Sequence, residues 1–166
     1  MSGRLIGIAR RGQRRAPMET VKAVDVTAEK GLEGDHKGAK FKTRQVTVLA
    51  IEDWQAALEA LGGGAGEAAP SLDWTCRRAN LLVEGLRLPR AKGAVITVGG
   101  MVTLEVTGET VPCGRMDEVA PGLLKALFPD WRGGVTCRVM DGGRIEMGDG
   151  VEVASSPAER VRRLPG

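Results

Sequence analysis

Apolar and polar residues alternate in short runs along most of this chain, with turn-forming residues between them, so the pattern predicts strands more often than helices. Residues 4–9 (RLIGIA) and 20–27 (TVKAVDVT) read as two strands separated by the basic segment RRGQRRAP, a solvated loop. Residues 30–40 (KGLEGDHKGAK) carry three glycines around Asp35 and His36, which disfavours helix and regular strand and predicts a structured loop with polar groups. Residues 44–50 (RQVTVLA) form a strand with Val46, Val48 and Ala50 facing inward and Arg44 and Gln45 at its mouth. Trp54, Ala57, Leu58 and Leu61 follow the i, i+3, i+4, i+7 spacing of a helix face. Glu52 and Asp53 suit that helix's N-terminus, and Gly62-Gly63-Gly64 ends it. Residues 62–71 read as a loop rather than a domain linker, and residues 80–83 (NLLV) resume as strand up to Gly85.

Residues 95–106 form a hairpin turning at Gly99-Gly100 with two-residue spacing, the firmest element in the pattern. It leads into residues 107–115 (TGETVPCGR), a turn-rich stretch in which Pro112 lacks a backbone donor and Gly114 frees the geometry, so that Cys113 is presented on a loop. Val119, Leu123, Leu124, Leu127 and Phe128 predict a short packing helix over 118–128 despite Pro121-Gly122. Strands over 134–140 and 144–153 are separated by Asp141-Gly142-Gly143. The organisation is therefore one domain over residues 1–154 and a mobile basic tail over 155–166. The class is mainly β with a few short helices, the strands forming a barrel or sandwich.

The chain of 166 residues supplies one ordinary hydrophobic core, and its 24 glycines fit many tight turns. A net charge of +3 suits small anionic ligands. Two Phe, three Trp and no Tyr leave little to stack bases on, which argues against a nucleic-acid partner. No run approaches the ~20 apolar residues of a membrane span, and the N-terminus has no apolar signal-peptide core. The expected setting is the cytoplasm, without a membrane partner, where Cys76, Cys113 and Cys137 stay reduced as thiols or ligands.

Thiolates are stabilised by nearby cations, and Cys113 has Arg115 two residues on; the competing role, a small buried apolar residue, is disfavoured by the Pro-Cys-Gly context. Cys137 sits in the alternating strand GVTCRVM and reads as core filler, while Cys76 precedes Arg77-Arg78-Ala79-Asn80. A zinc site from Cys76, Cys113, Cys137 and His36 lacks the close ligand pairs such sites use. His36 is the only histidine; its GDHKG setting suits an anionic or heteroaromatic ligand and equally a polar turn. Arg44, Gln45, Arg77, Arg78 and Asn80 fall at strand beginnings, where side chains converge at one end of a barrel. Arginine forks match phosphate and side-chain amides match pterin or purine edges, with plain surface solvation as the alternative for each. The glycines of 99–101 and 148–150 lack the strand-loop-helix order of a nucleotide fingerprint and read as turn formers.

The ordered set GLEGDHKG, RQVTVLAIEDW, RRANLLVEGL, VGGMVTLEVTGETVPCGRM and GDGVEV resembles the MOSC domain family, named for the C-terminal domain of molybdenum-cofactor sulfurases, over residues 5–153. The resemblance implies a strongly curved, barrel-like sheet of the pyruvate-kinase β-barrel kind. It implies binding of molybdenum cofactor, an anionic molybdopterin, with no pyridoxal phosphate. Carried onto this sequence, the motif cysteine is Cys113, the catalytic residue and the molybdenum ligand or sulfur carrier; Asp35, His36, Arg44, Gln45, Arg78, Asn80 and Arg115 are the candidates to hold the cofactor. His36 stands where many relatives have arginine. The implied activity is reduction of N-hydroxylated compounds with electrons from a separate redox protein. Two alternatives stay open: a metal-free persulfide carrier served by a sulfur-donor protein, and a non-catalytic interaction domain.

Overall fold

The computed structural model describes residues 2–62 and 72–159. In chain order the strands are β1 (Ser2–Arg10), β2 (Glu19–Thr20), β3 (Ala23–Thr27), β4 (Gly31–Leu32), β5 (Val46–Ala50), β6 (Leu81–Glu84), β7 (Val95–Val98), β8 (Val102–Glu109), β9 (Val135–Asp141), β10 (Gly143–Glu146) and β11 (Gly150–Ser155). The helices are α1 (Ile51–Leu61), α2 (Arg115–Val119) and α3 (Leu123–Leu127), with short 3-10 turns at Trp74–Arg77 and Pro129–Trp131.

Seven strands close a barrel in the order β11-β7-β8-β9-β5-β6-β1, and antiparallel pairing of β1 with β11 joins the two ends. Closure leaves those two strands without an open edge. Among the described strands only β5 and β6 run parallel, with α1 in the connection between them. A second sheet, β10-β3-β4, contributes Val24, Val26, Leu32 and Ile145 to the barrel core, where they pack with residues such as Leu5, Val48, Ile96 and Leu104.

All five residues of β5 are buried because both its faces are covered. Val46, Val48 and Ala50 point into the barrel, as their alternation predicts, while Leu49 joins Leu82, Trp54, Leu58, Leu123 and Leu127 under the helices. Gly7 has a steric reason: a Cβ there would lie 2.7 Å from Trp74 Cζ2. No helix among the described residues is long and apolar enough to cross a membrane.

Several expected elements divide where the chain changes partner. The single strand over 20–27 becomes β2 and β3, because Val21 N donates to Ile8 O while Lys22 O accepts from Met147 N, moving the chain from one sheet to the other. Gly31–Leu32 is a short strand rather than loop, paired with Val26 and Thr27. The strand over 144–153 breaks into β10 and β11 at Gly148, whose φ of 97° makes a turn that Asp149 locks by accepting from Glu146 N. The helix over 118–128 is two helices, parted by extended Ala120 and by Gly122 at φ 89°, and Phe128 remains 63% exposed rather than packed. Thr107 to Glu109 continue β8 instead of turning. The Gly99-Gly100 hairpin has three residues between its paired ends, since Val98 pairs with Val102; both glycines adopt positive φ as the turn requires. Gly62 caps α1, while the remaining residues of the expected 62–71 loop lie outside the described residues. So does most of the expected tail, of which 155–159 are described.

Beside the helical layer lies an ion cluster. Arg90, with its side chain 1% exposed, donates to both carboxylate oxygens of Asp53 at 2.9 Å and to the carbonyls of Leu88 and Asp130. Arg87 reaches Asp130 and Glu159. Burial raises the pKa of Asp53, and Arg90 opposes that shift. Removing one member of a buried pair leaves the other uncompensated, so Arg90→Ala should lower stability by about 3–5 kcal/mol. The measurement is urea unfolding, with an unchanged m-value and a lower midpoint.

Candidate functional site

Four chain segments meet at one cavity of about 860 Å³, within the range of roughly 300–1,000 Å³ usual for small-molecule sites. The segment after β1 brings Arg11 and Arg14. The loop before β5 brings His36, Lys37, Lys40, Phe41 and Arg44. The turn before β6 supplies Arg77 and Arg78, and the end of β8 with the loop behind it supplies Glu109, Thr110, Cys113 and Arg115. Eight lysine or arginine side chains line the cavity against one carboxylate, Glu109.

The local folding explains this convergence. Asp73 caps the 3-10 turn by accepting from Thr75 N, and the turn ends at Arg78, which adopts φ 65°. That left-handed residue swings the chain from the turn into β6 and leaves Arg77 and Arg78 both facing the cavity. Arg77 is 7% exposed and donates from Nη2 to Thr110 O at 2.7 Å, which ties the β6 side to the cysteine loop. Gly133 lies against the same guanidinium, where a Cβ would stand 2.8 Å from Nη2. Pro112 is buried while Cys113 is exposed, so the loop holds its cysteine outward.

Polar groups at this cavity are under-satisfied to a degree found nowhere else among the described residues. Five buried side-chain atoms lack a hydrogen-bond partner: Arg11 Nη1, Arg77 Nε, Arg78 Nη1, Thr110 Oγ1 and Asp35 Oδ2. Four belong to lining residues, and the fifth, on Asp35, belongs to the carboxylate whose other oxygen accepts from Arg11 N. Buried donors without partners are costly, and three unpartnered guanidinium nitrogens on residues that line one cavity make its chemistry suited to an anion.

The electrostatics agree. Burial lowers the pKa of Arg77, with Cys113 and Glu109 acting in opposition, and lowers that of Arg11, helped by Arg78. Burial raises that of Glu109 against the pull of Arg77. Lys37, whose Nζ lies 3.4 Å from Thr47 Oγ1, is brought down to about 8, chiefly by burial, with Arg44, Arg11 and Arg77 adding to the effect and Asp35 opposing it.

Of the residues singled out in the sequence, Cys113, His36, Arg44, Arg78 and Arg115 line the cavity, and Asp35 stands behind Arg11. Gln45 and Asn80 do not line it. Gln45 donates to Ala28 O and accepts from Val139 N, bridging β9 to the segment after β3. Asn80 accepts from Thr47 N and Oγ1 and donates to Ala9 O, so its amide is consumed inside the scaffold. Cys137 is fully buried in the barrel core, and burial raises its thiol pKa; Cys76 is partly buried against the helical layer, and its pKa is raised by burial and by Asp73. No group of three or more His, Cys, Asp or Glu placed for a metal occurs among the described residues.

The cavity also holds residues that had no assigned role. Arg77 figures in the sequence only among the converging arginines, and Lys37 only as part of the GDHKG setting of His36. Arg11 and Arg14 lay in the segment read as a solvated loop. The dense RRGQRR run was the available signal, but charge runs are usually solvated, and only the fold shows which of its members are drawn inward.

The MOSC domain model matches residues 33–152 of this sequence, most of the chain. The chain belongs to the MOSC domain family. Solved structures share its fold: the YuaD protein from Bacillus subtilis, at 18% identity with a TM-score of 0.70, covers 91% of this chain and 94% of its own. YiiM from Escherichia coli, at 18% identity and TM-score 0.65, covers 95% of this chain and 73% of its own. YiiM from Geobacillus stearothermophilus, at 17% identity and TM-score 0.60, covers 92% and 73%. No curated protein matches the sequence. The closed, mostly β barrel expected of a MOSC domain is thus the fold observed.

Because Lys37 is charged only below a pH of about 8, anion affinity of this MOSC cavity should fall as pH rises through that value. Sulfate, which does not titrate in this range, is a suitable probe. Calorimetric titration should show weaker sulfate binding at about pH 9 than at about pH 7, and Lys37→Met should flatten that profile.

Proposed function

We propose that this MOSC chain binds a molybdopterin-type cofactor in the basic cavity, with Cys113 supplying a thiolate ligand to molybdenum, and supports reduction of N-hydroxylated compounds. The observation that carries the reading is the set of unpartnered buried guanidinium atoms on Arg11, Arg77 and Arg78, in a cavity that also presents the exposed thiol of Cys113. The residues fit the group. A phosphate needs charge-assisted donors, which these arginines have in reserve, and a soft metal needs a sulfur ligand, which Cys113 offers.

In this reading Arg11, Arg77 and Arg78 bind the phosphate, Arg115 and Arg44 balance remaining charge at the mouth, and Thr110 Oγ1 orients the ligand through a hydrogen bond. When bound, the cofactor supplies two-electron oxygen-atom chemistry. Converting an N-hydroxylated compound into the parent amine and water consumes two electrons and two protons. Lys37 can hold one of those protons at Nζ, since its lowered pKa places proton exchange within reach of neutral pH. The electrons come from a separate redox protein. Asp35 and His36 have supporting places: Asp35 fixes the Arg11 backbone, and His36 N donates to Arg11 O at 2.8 Å, so the two adjacent residues clasp the same arginine.

Purification from a host that makes the cofactor tests this directly. Wild type should retain molybdenum and pterin, and Cys113→Ala should lose molybdenum by at least about tenfold, given that even supporting residues of metal sites are worth that much. Arg77→Met should lose pterin as well, since the buried Nε donor goes with it. Wild type free of both molybdenum and pterin would overturn the reading.

A further inference from the structure

The main cavity does not end at its own wall. A second cavity of about 440 Å³ adjoins it, and the two share Arg78, Arg115 and Met116 as lining residues. Arg15, Cys76, Glu118 and Val119 line the second cavity and not the first. We infer that one continuous anionic ligand spans both cavities, and that the second takes the distal phosphate and nucleoside of a nucleoside diphosphate unit. The inference rests on the reading of the main cavity as an anion site.

Three features of the second cavity point to that chemistry. First, Arg78 lies on the boundary with its buried Nη1 unpartnered, while Arg15 and Arg115 stand on the same cavity, so three guanidiniums serve the junction. Arginine forks of this kind match the oxygens of linked phosphates. Second, Arg15 and Arg78 adopt φ of 67° and 65°, and only two other non-glycine residues among those described, Asp130 and Trp131, have positive φ. The left-handed region is unfavourable for residues with a Cβ, so the fold holds both arginines in costly conformations that face the same space. Third, the cavity pairs a carboxylate, Glu118, with apolar surface from Met116 and Val119. A carboxylate accepts hydrogen bonds from ribose hydroxyls, and apolar side chains cover a base. The cavity's volume lies within the range of roughly 300–1,000 Å³ for small-ligand sites and comes in addition to the main one.

A nucleotide-extended cofactor and a free nucleotide both present such a unit; the chemistry recognised is the same, and the test separates the two. Cofactor-free full-length protein is titrated calorimetrically with orthophosphate and with ADP, GDP and CDP. At least one nucleoside diphosphate should bind wild type about tenfold or more tightly than orthophosphate, the gain expected of added charge-assisted hydrogen bonds. Arg15→Ser, and separately Val119→Trp to fill the cavity, should each bring that ligand to within about threefold of orthophosphate while leaving orthophosphate binding unchanged. Holo protein denatured in acid should release one nucleoside monophosphate per pterin if the unit belongs to the cofactor, and none if it is a free nucleotide; either result is compatible with a spanned site. Nucleoside diphosphates binding no more tightly than orthophosphate, or a preference that survives both substitutions, would overturn the inference. Failure of orthophosphate itself to bind would instead bring down the reading of the main cavity.

Discussion

The hydrogen bonds between Thr47 and Asn80 hold the site end of the barrel together. Asn80 Oδ1 accepts from Thr47 N and Oγ1, Asn80 N donates to Thr47 Oγ1, and Asn80 Nδ2 donates to Ala9 O. One buried amide therefore fixes β1 and β5 relative to the residue that follows the arginine turn and enters β6. Because Asn80 is 1% exposed, each of these bonds replaces water that cannot reach it, and an unmade bond would carry its full desolvation cost. Arg11 follows β1, Lys37 reaches Thr47 from the preceding loop, and Arg77 and Arg78 immediately precede Ala79 and Asn80. The positions of these four cations all depend on that junction.

Such a frame is needed because the cavity works against folding. Eight cations around one carboxylate repel one another, and the lowered pKa values of Arg11, Arg77 and Lys37 record the cost of burying charge without enough partners. The barrel's closed hydrogen-bonding circuit and the burial of β5 and β6 on both faces supply the opposing stability. In the proposed reading, an anion entering the cavity would relieve repulsion and satisfy orphaned donors together, and the strain left in the scaffold would be the source of its affinity.

Much of this was legible in the sequence. Alternation located Val46, Val48 and Ala50 in the barrel interior, and helical spacing found the buried face of α1, because both patterns report a single burial direction. The Pro-Cys-Gly context separated Cys113 from Cys137, since a Pro and a Gly on either side both disfavour a central strand. What was not legible depended on contacts distant in sequence. Gln45 and Asn80 look like ligand amides until Val139, Ala28 and Ala9 are found to occupy them. Arg77 and Arg78 are adjacent, yet Arg77 is buried against Thr110, 33 positions away. The strand breaks at Lys22 and Gly148 arise where two sheets share a chain, and one-dimensional alternation does not register a change of sheet.

The ion cluster around Arg90 shows how far support for the site extends. Asp130 and Trp131 both adopt positive φ, at 49° and 53°, an arrangement that a short loop holds only when tethered. Arg90 Nε binds Asp130 O, and Arg87 pairs with the Asp130 carboxylate, which supplies the tether. Three residues later the same loop delivers Gly133 against Arg77 and Thr110, and Gly134 O accepts from Thr110 N at 2.9 Å. Thr110 in turn accepts Arg77 and leads into Cys113 within three residues. The backbone strained beside Arg90 is thus continuous with the backbone that positions both the buried guanidinium and the thiol. A perturbation of the cluster reaches the cavity through the placement of Thr110, without any member of the cluster lining it.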